Sequence, residues 1–272
     1  MKWHALTNFD LAMMTELWNR SFEDYFVAIN LSEEDFLHRM ESLNLSSKQS
    51  LVVEFDDEHA GMVLYGEEKF KNQQTAWIGG MGIIKALRQH GIGKEMLKKT
   101  IEIAKEDSVD ALHLEVIIGN ERAERLYRKE GFDVVNRVGV GTLAVLPSFR
   151  DDEKLTLKST SITDEHRAYE MTGTPWQNRL NRNYQLYAIM LQEHEIGYLY
   201  WIEEGYALKQ LVFYDEHKPM VEAVLAELYK RFGAIQLAIG NYNIEDTTYD
   251  DLLELGMKEK LRQYHMALQL TS

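Results

Sequence analysis

The chain of 272 residues contains no cysteine and only three prolines. The absence of cysteine excludes disulfides, thiol nucleophiles and thiolate metal sites, and it is typical of a protein from the reducing cytoplasm. Scarce proline and a hydrophobic content of 45% indicate a globular chain and not a disordered one. We therefore expect a cytoplasmic, globular protein that forms one large domain or two ordinary ones.

Long apolar runs and excess positive charge are also lacking. No stretch approaches the roughly 20 apolar residues of a membrane span, and the N-terminus MKWHALTNFDLAMM does not resemble a signal peptide. The formal net charge of −14 argues against non-specific nucleic-acid binding and allows a cationic substrate such as an amine. No His, Asp or Glu spacing matches a metal site. We therefore expect no membrane, nucleic-acid or metal partner.

Hydrophobic periodicity indicates an α/β (α+β) fold. Helical spacing predicts helices in TNFDLAMMTELWNRSF and, after a capping box of Ser32 and Asp35, in LSEEDFLHRMESL. SLVVEF, GMVLYGEE and TAWIGGMGII are predicted strands, and the glycines of the last predict a bulge or a close backbone approach. A helix in KEMLKKTIEIAKED, a buried strand in ALHLEVII, a short helix and further strands follow.

The polar segment after Pro147 predicts a domain boundary, and the sequence beyond it resembles a diverged repeat of the first half. EHAGMVLYGEE, from Glu58, is echoed by EHEIGYLYWIEE, from Glu193, and LHLEVIIGN is echoed by IQLAIGN. The two echoes come in the same order, which favours duplication over chance. We therefore expect two domains, residues 1–148 and 149–272.

The stretch RQHGIGK, Arg88–Lys94, places two glycines between a predicted strand and a predicted helix. A helix N-terminus exposes unpaired N–H groups, glycine lets an anion approach them, and Arg88 and Lys94 add positive charge. It is not a P-loop, because no Gly-Lys-Ser/Thr follows, and Met96 stands where a dinucleotide fingerprint has its third glycine. Taken alone, the stretch is compatible with a pyrophosphate seat or with a tight turn.

Two motifs in the right order resemble the GNAT N-acetyltransferase superfamily. Arg88-Gln89-His90-Gly91-Ile92-Gly93 resembles its acetyl-CoA signature Q/R-x-x-G-x-G/A, and LEVIIGNERAERLYRKEGF, residues 114–132, resembles its second signature. The resemblance is strongest over residues 77–132. It implies two tandem GNAT-like domains, each a mixed, mostly antiparallel sheet flanked by helices.

This resemblance implies acetyl-CoA as the acyl donor and direct attack by an amine in a ternary complex. The acceptor would be a small molecule or a peptide. The implied cofactor residues lie at the end of one strand, in the glycine stretch and on the following helix: Met81, Gly82, Ile83, Arg88, Gln89, His90, Gly91, Ile92, Gly93, Lys94, Asn120 and Tyr127.

Tyr127 and Glu115 are the catalytic candidates that the resemblance indicates. Tyr127 stands where the family keeps the general acid for the leaving thiolate, and the alternative is a tyrosine that only packs. Glu115, in an apolar strand, resembles the proton acceptor of the ribosomal-protein N-terminal acetyltransferases, and the alternative is a structural carboxylate. Tyr25 and Phe26 lie where the family often builds its acceptor wall, although such aromatic residues are more often core.

The second copy lacks the corresponding chemistry. Ala238 stands in place of Glu115 and Leu252 in place of Tyr127, and the loop YDEHKP has two acidic residues and no glycine. We expect a degenerate GNAT-like domain without a cofactor loop, which is structural or shapes an acceptor pocket. A tandem repeat can replace a dimer, so a monomer is the first expectation and a dimer the second. The alternatives to an enzyme are a non-catalytic acyl-CoA-binding sensor and a partner-binding module.

Overall fold

The computed structural model describes residues 1–27, 29–152, 154–214 and 219–270. The chain forms two compact units, of which the first contains Met1–Val135 and the C-terminal segment from His265, and the second contains Asn136–Tyr264. Of the helices in these described residues, none combines the length and the apolar character needed to cross a membrane.

The first unit begins with a strand that the sequence did not predict, and from its first long helix onward it follows the predicted order. Its elements are β1 (Lys2–Ala5), α1 (Leu11–Ser21), α2 (Glu33–Ser42), β2 (Leu51–Phe55), β3 (Glu58–Phe70), β4 (Gln73–Ile83), α3 (Ile92–Glu106), β5 (Ala111–Ile117), α4 (Glu121–Lys129) and the start of β6 (Asp133–Val145). Strands β1 to β4 pair antiparallel in chain order, β5 pairs parallel to β4, and the last strand of the chain ends beside β5.

Local sequence signals explain where the first helices begin and how closely they pack. The Ser32–Asp35 capping box is confirmed, because each side chain accepts the backbone N–H of the other at 3.1 Å. Helix α1 lies against β4 at two glycines: a Cβ on Gly80 would come within 2.4 Å of the Trp18 ring, and one on Gly82 within 2.8 Å of α1. The glycines of β4 therefore serve the close backbone approach that the sequence predicted.

The second unit repeats the same plan. Its elements are the rest of β6, β7 (Leu155–Thr160), α5 (Asp164–Tyr169), β8 (Gln185–Leu191), β9 (His194–Ile202), β10 (Ala207–Phe213), α6 (Val221–Phe232), β11 (Ile235–Asn243), α7 (Thr247–Glu254) and the start of β12 (Lys258–Gln269). Strands β7 to β10 pair antiparallel, β11 is parallel to β10, and β6 pairs antiparallel to β11. Both units are thus mixed, mostly antiparallel sheets with helices, as predicted.

The last strand of each half lies largely or partly in the other unit and not with the helices that precede it in sequence. Residues 138–145 of β6 pair with β11 and belong to the second unit, whereas the end of β12 belongs to the first. The compact units therefore differ in extent from the sequence ranges 1–148 and 149–272. Those ranges stay a prediction about where one copy of the repeat ends and the next begins.

Candidate active site

The site is built where strands β4 and β5 part. Their parallel register joins residues 75–77 to residues 111–113, and in the described strands it ends there although both strands continue. On its other edge β4 contains a bulge, in which Gly79 is the extra residue between Ile78 and Gly80. A bulge bends its strand and re-aims the residues that follow. The ends of β4 and β5 are therefore left without pairing to each other.

A cavity of about 340 Å³ lies at these strand ends and contains most of the predicted residues. Neither Phe26, His90 nor Glu115 lines it. The predicted residues that line it are Tyr25, Met81, Gly82, Ile83, Arg88, Gln89, Gly91, Ile92, Gly93, Lys94, Asn120 and Tyr127. The lining residues that sequence reasoning missed are Ser21, Phe22, Asp24, Leu87, Arg122, Ala123 and Leu126.

The glycine stretch forms the start of helix α3. Gly91 is the N-cap residue, with φ of 78°, a left-handed conformation that favours glycine. Among the described residues no side chain caps this helix, so the N–H groups of Ile92 and Gly93 are available to an anion. Lys94 and Arg122 add positive charge to the same cavity. The stretch therefore combines the open helix start and the cations that a pyrophosphate needs.

Arg88, the first residue of the signature, is engaged with the protein itself. Its guanidinium forms a two-pronged contact with the carboxylate of Asp24, at 2.7 and 2.9 Å. The same guanidinium donates to the carbonyl oxygens of Ile83 at 3.0 Å and Ser21 at 3.3 Å. The hydrogen bond from Arg88 lowers the pKa of Asp24 below its ordinary value. Asp24 precedes Tyr25 in SFEDYF, and nothing local in the sequence indicated this long-range pair.

Tyr127 lies in helix α4 and is buried, with its ring 5.9 Å from that of Phe132. It lines the cavity, as the general-acid assignment requires. Burial raises the pKa of Tyr127, because the phenolate is poorly solvated there, and the neighbouring Tyr25 acts in the same direction. The phenol therefore keeps its proton at neutral pH and can donate it to a hydrogen bond.

Asn120 and Tyr25 are distant from the glycine stretch in sequence, but they line the same cavity. Asn120 is the N-cap of α4, and its Oδ1 accepts the N–H of Ala123 at 3.3 Å. Burial raises the pKa of Tyr25, and the neighbouring Asn120 side chain opposes that rise. Phe26 packs edge-on against Tyr25, with ring centroids 5.6 Å apart, and is 60% exposed. Of the two proposed acceptor-wall residues, Tyr25 therefore faces the cavity and Phe26 faces solvent.

Glu115 is held within the sheet on the side of helix α2. Its Oε2 accepts the indole N–H of Trp77 at 2.8 Å. Arg39 of α2 donates to the bulge carbonyl of Gly79 at 2.6 Å. Burial lowers the pKa of Arg39, and the negative charge of Glu115 opposes that effect. The carboxylate is thus oriented by protein partners and does not line the cavity.

The equivalent gap in the second unit is filled by its own chain. Strands β10 and β11 pair in parallel only at residues 207–208 and 238–239. The Asn178 side chain donates to the carbonyl oxygens of residues 240 and 241 at 2.9 and 3.1 Å, and the Asn178 carbonyl accepts from Gln210 at 2.7 Å. The cavity that remains is about 40 Å³. This arrangement offers no room for a pantetheine arm between the strands.

The residues of the second copy lack acid–base chemistry at the compared positions. Ala238 lies in the short parallel register with β10, and Leu252 is fully buried in α7. Residues 215–218, which carry the acidic part of the loop YDEHKP, lie outside the described residues. The filled gap and these two apolar positions favour the expectation that this copy is degenerate.

One sequence echo between the copies does not carry over to the structure. IGN at residues 239–241 lies within β11, and a bulge there gives Asn241 a φ of 51°. The N-cap of the following helix is Asp246, whose side chain accepts the N–H of Thr248 at 2.9 Å. Asp246 therefore holds the place that Asn120 holds in the first copy, because β11 is longer than β5 and shifts the helix start.

Comparison with known proteins finds a family model that matches part of the chain. Residues 3–132 match the model of the Acetyltransferase (GNAT) family. The chain is 33% identical over 82 residues to N-alpha-acetyltransferase 50 of Danio rerio, and the match spans 30% of this chain and 49% of that protein. The chain thus spans about half the length of this curated relative.

Solved structures with similarity along the whole chain share its two-copy fold. A GCN5-related N-acetyltransferase from Sphaerobacter thermophilus is 15% identical, with 100% of this chain and 96% of that chain covered and a TM-score of 0.69. A tandem GNAT protein from the clavulanic acid biosynthesis pathway is 12% identical, with coverages of 100% and 99% and a TM-score of 0.67. At such identities the similarity shows the fold alone, and it confirms the predicted tandem GNAT architecture.

Proposed function

Because residues 3–132 match the model of the Acetyltransferase (GNAT) family, we propose that the first unit transfers the acetyl group of acetyl-CoA to a primary amine. The observation that carries the proposal is the cavity at the ends of β4 and β5. It joins an uncapped, glycine-started helix, an unpaired strand end and a buried tyrosine in one space. Acetyl-CoA supplies an acetyl group that is activated as a thioester.

The residues present fit the donor in charge and in hydrogen-bonding groups. We propose that the turn from Arg88 to Lys94 holds the pyrophosphate through backbone N–H groups and the Lys94 ammonium. His90 belongs to this turn, although its ring packs near Phe55 at a centroid distance of 5.5 Å. The strand end Met81–Ile83 would bond the pantetheine amides, and Asn120 would contact the donor near its thioester.

The proposed chemistry moves two protons while one C–N bond forms and one C–S bond breaks. Tyr127 stays protonated because burial raises its pKa, and its phenol would donate to the departing sulfur. The ammonium form of the amine must lose one proton before it attacks, and we propose Glu115 as the group that takes this proton through water. The second proton, which the nitrogen loses as the amide forms, would return to the Tyr127 phenolate. The Trp77 indole would hold the carboxylate in place for this role.

The amine acceptor is proposed as a small molecule or a peptide, received on the side of the cavity formed by Tyr25. The named relative is an N-alpha-acetyltransferase, which supports an amine acceptor without identifying it. The second unit would serve a structural role, since the Asn178 segment fills its gap. We propose a monomer, in which two copies in one chain replace a dimer.

Calorimetric titration of acetyl-CoA tests the proposed pyrophosphate site at the start of α3. Gly91→Ala introduces a Cβ into open space, so it reports only the strain of a left-handed residue. Gly91→Glu adds a carboxylate at the same place. Two like charges about 5 Å apart repel by about 3 kcal/mol at an effective dielectric of about 20. We therefore expect the wild type to bind, and Gly91→Glu to bind about a hundredfold more weakly than Gly91→Ala.

The outcomes separate the three functional classes. Binding that is lost specifically in Gly91→Glu supports the seat, and an amine-library screen for transfer, with Tyr127→Phe as control, then identifies the acceptor. Equal affinity of the Glu and Ala variants places the donor elsewhere. Binding without transfer to any amine favours an acyl-CoA sensor. If the wild type does not bind acetyl-CoA, the acetyltransferase proposal fails and a partner-binding module replaces it.

A further inference from the structure

The segment Phe22–Tyr25, here called the strap, joins the end of α1 to the cavity at three points. The Phe22 ring lies 2.9 Å from where a Cβ on Gly82 would sit, so it packs directly on β4. The Asp24 carboxylate is bound by Arg88, and Tyr25 lies beside Asn120 in the lining of the cavity. Two of these anchors, Arg88 and Asn120, are residues that the family resemblance assigns to the donor.

The guanidinium of Arg88 has no nitrogen that is unused. Nε donates to the Ile83 carbonyl, Nη1 to Asp24, and Nη2 to Asp24 and to the Ser21 carbonyl. A guanidinium has five N–H donors in a fixed planar fork, which suits this two-pronged carboxylate contact. The Asp24 side chain is 34% exposed and that of Arg88 is 27% exposed, so the pair is partly shielded from water.

Moving Arg88 to a phosphate would leave unfavourable groups behind. The Asp24 carboxylate would lose its bidentate partner and face an incoming anion, with Lys85 at 3.7 Å as its remaining cation. The carbonyl oxygens of Ile83 and Ser21 would also lose a donor. The paired Arg88 and Asp24 have no net charge, so the attraction for a pyrophosphate comes from Lys94, Arg122 and the start of α3.

We infer that Arg88 is a positioning residue for the strap and not a phosphate ligand. Its guanidinium stays on Asp24 when the donor binds. In this way it holds the strap, which forms the acceptor side of the cavity, against the turn that binds the donor. Because the same turn binds the donor and holds the strap, donor binding stabilises the strap and the Tyr25 ring within it. The inference rests on the proposed function, since it names the role of one residue within that same site.

The test measures donor affinity and strap order on the intact protein with coenzyme A as the probe. Calorimetry gives the Kd of coenzyme A, and hydrogen exchange reports the backbone amides of the strap. The Tyr25 amide is a direct reporter, because it donates to the Phe22 carbonyl at 3.1 Å. The variants are Arg88→Met and Asp24→Asn, with Lys94→Met as the matched loss of a cation from the seat.

We expect opposite patterns in the two kinds of variant. Arg88→Met and Asp24→Asn lose about tenfold in strap protection and keep the Kd of coenzyme A within about twofold. Lys94→Met weakens coenzyme A about tenfold and leaves strap protection unchanged. In the wild type coenzyme A increases strap protection, and in Arg88→Met and Asp24→Asn it does not. This last effect reports coupling, which a merely structural ion pair would not produce.

Other outcomes overturn the inference. A tenfold weaker Kd in Arg88→Met, together with a tighter Kd in Asp24→Asn, would make Arg88 a phosphate ligand that Asp24 restrains. Unchanged strap protection in both variants would show that the pair does not position the strap. If coenzyme A does not bind the wild type at all, the proposed function fails, whereas strap protection without ligand still decides whether Arg88 and Asp24 order the strap.

Discussion

Lys209 is the extra residue of a bulge in β10, between Leu208 and Gln210. Its Nζ lies 5.6 Å from the centre of the Tyr184 ring, and loss of solvation lowers the pKa of Lys209 to about 8. Replacing Lys209 with methionine keeps an unbranched apolar side chain in the same space and removes the charge. We expect this substitution to stabilise the protein at neutral pH.

The expected magnitude follows from the two pKa values. An unfolded lysine titrates at about 10.4, so a shift to about 8 corresponds to about 3 kcal/mol against the folded state while the lysine is charged in both states. Loss of the cation–π contact with Tyr184 offsets about 1 kcal/mol. Lys209→Met should therefore gain about 2 kcal/mol in free energy of unfolding at about pH 7.

The sign of the pH dependence gives a second check. Between about pH 8 and 10.4 the unfolded chain binds the proton of Lys209 and the folded chain does not, so the stability of the wild type rises with pH through this window. Above it the penalty is absent, and the advantage of Lys209→Met should disappear. Urea denaturation at about pH 7, 9 and 10.5 measures both effects. Lys158→Met, at an exposed position of β7, is the control. A variant that is less stable at pH 7, or an advantage independent of pH, would refute the reasoning.

Three further predictions concern the first unit. Tyr127→Phe should lower kcat about a hundredfold with the Kd of acetyl-CoA unchanged. Because burial raises the pKa of Tyr127, the wild type should show no alkaline loss of rate from this residue below about pH 10. An unchanged kcat in the variant would exclude Tyr127 as the proton donor. Glu115→Gln keeps an oxygen for the Trp77 indole, so kcat/KM should fall about tenfold or more with stability nearly unchanged; lost stability with normal kinetics would make the carboxylate structural. Gly82→Ala should lower the free energy of unfolding by about 1–3 kcal/mol, since its Cβ would lie 2.8 Å from a side-chain atom of α1. Gly93→Ala should not, because its Cβ would lie 3.9 Å from the nearest side chain and alanine suits a helix. Equal shifts of the melting temperature in the two variants would contradict the packing argument.

The elements that sequence predicted correctly are those whose signals are local. The Ser32–Asp35 capping box lies within four residues, and the start of α3 follows a glycine whose left-handed backbone needs no distant partner. Strands β2 and β3 were predicted from SLVVEF and GMVLYGEE, two largely apolar runs on either side of a polar turn. The tandem fold was predicted because two short sequence echoes recur in the same order in the second half.

The pairs that sequence could not predict join residues far apart in the chain. Asp24 and Arg88 are 64 residues apart, and Asn178 reaches the carbonyl oxygens of residues 240 and 241. No periodicity records such contacts, because each depends on how separate elements pack. The IGN that the copies share occupies different places in them for the same reason, since the length of β11 decides which residue caps α7.

By itself the sequence determined the class of fold, the resemblance of the first unit to GNAT proteins and the glycine stretch that starts a helix, because these depend on residue types at short, fixed spacings. Only the tertiary structure decided which predicted side chains share one cavity, that the Arg88 guanidinium is already bound to Asp24, and that the gap in the second unit is filled. The physical reason is that a side chain's type sets what it can bond, whereas packing sets which partner it meets.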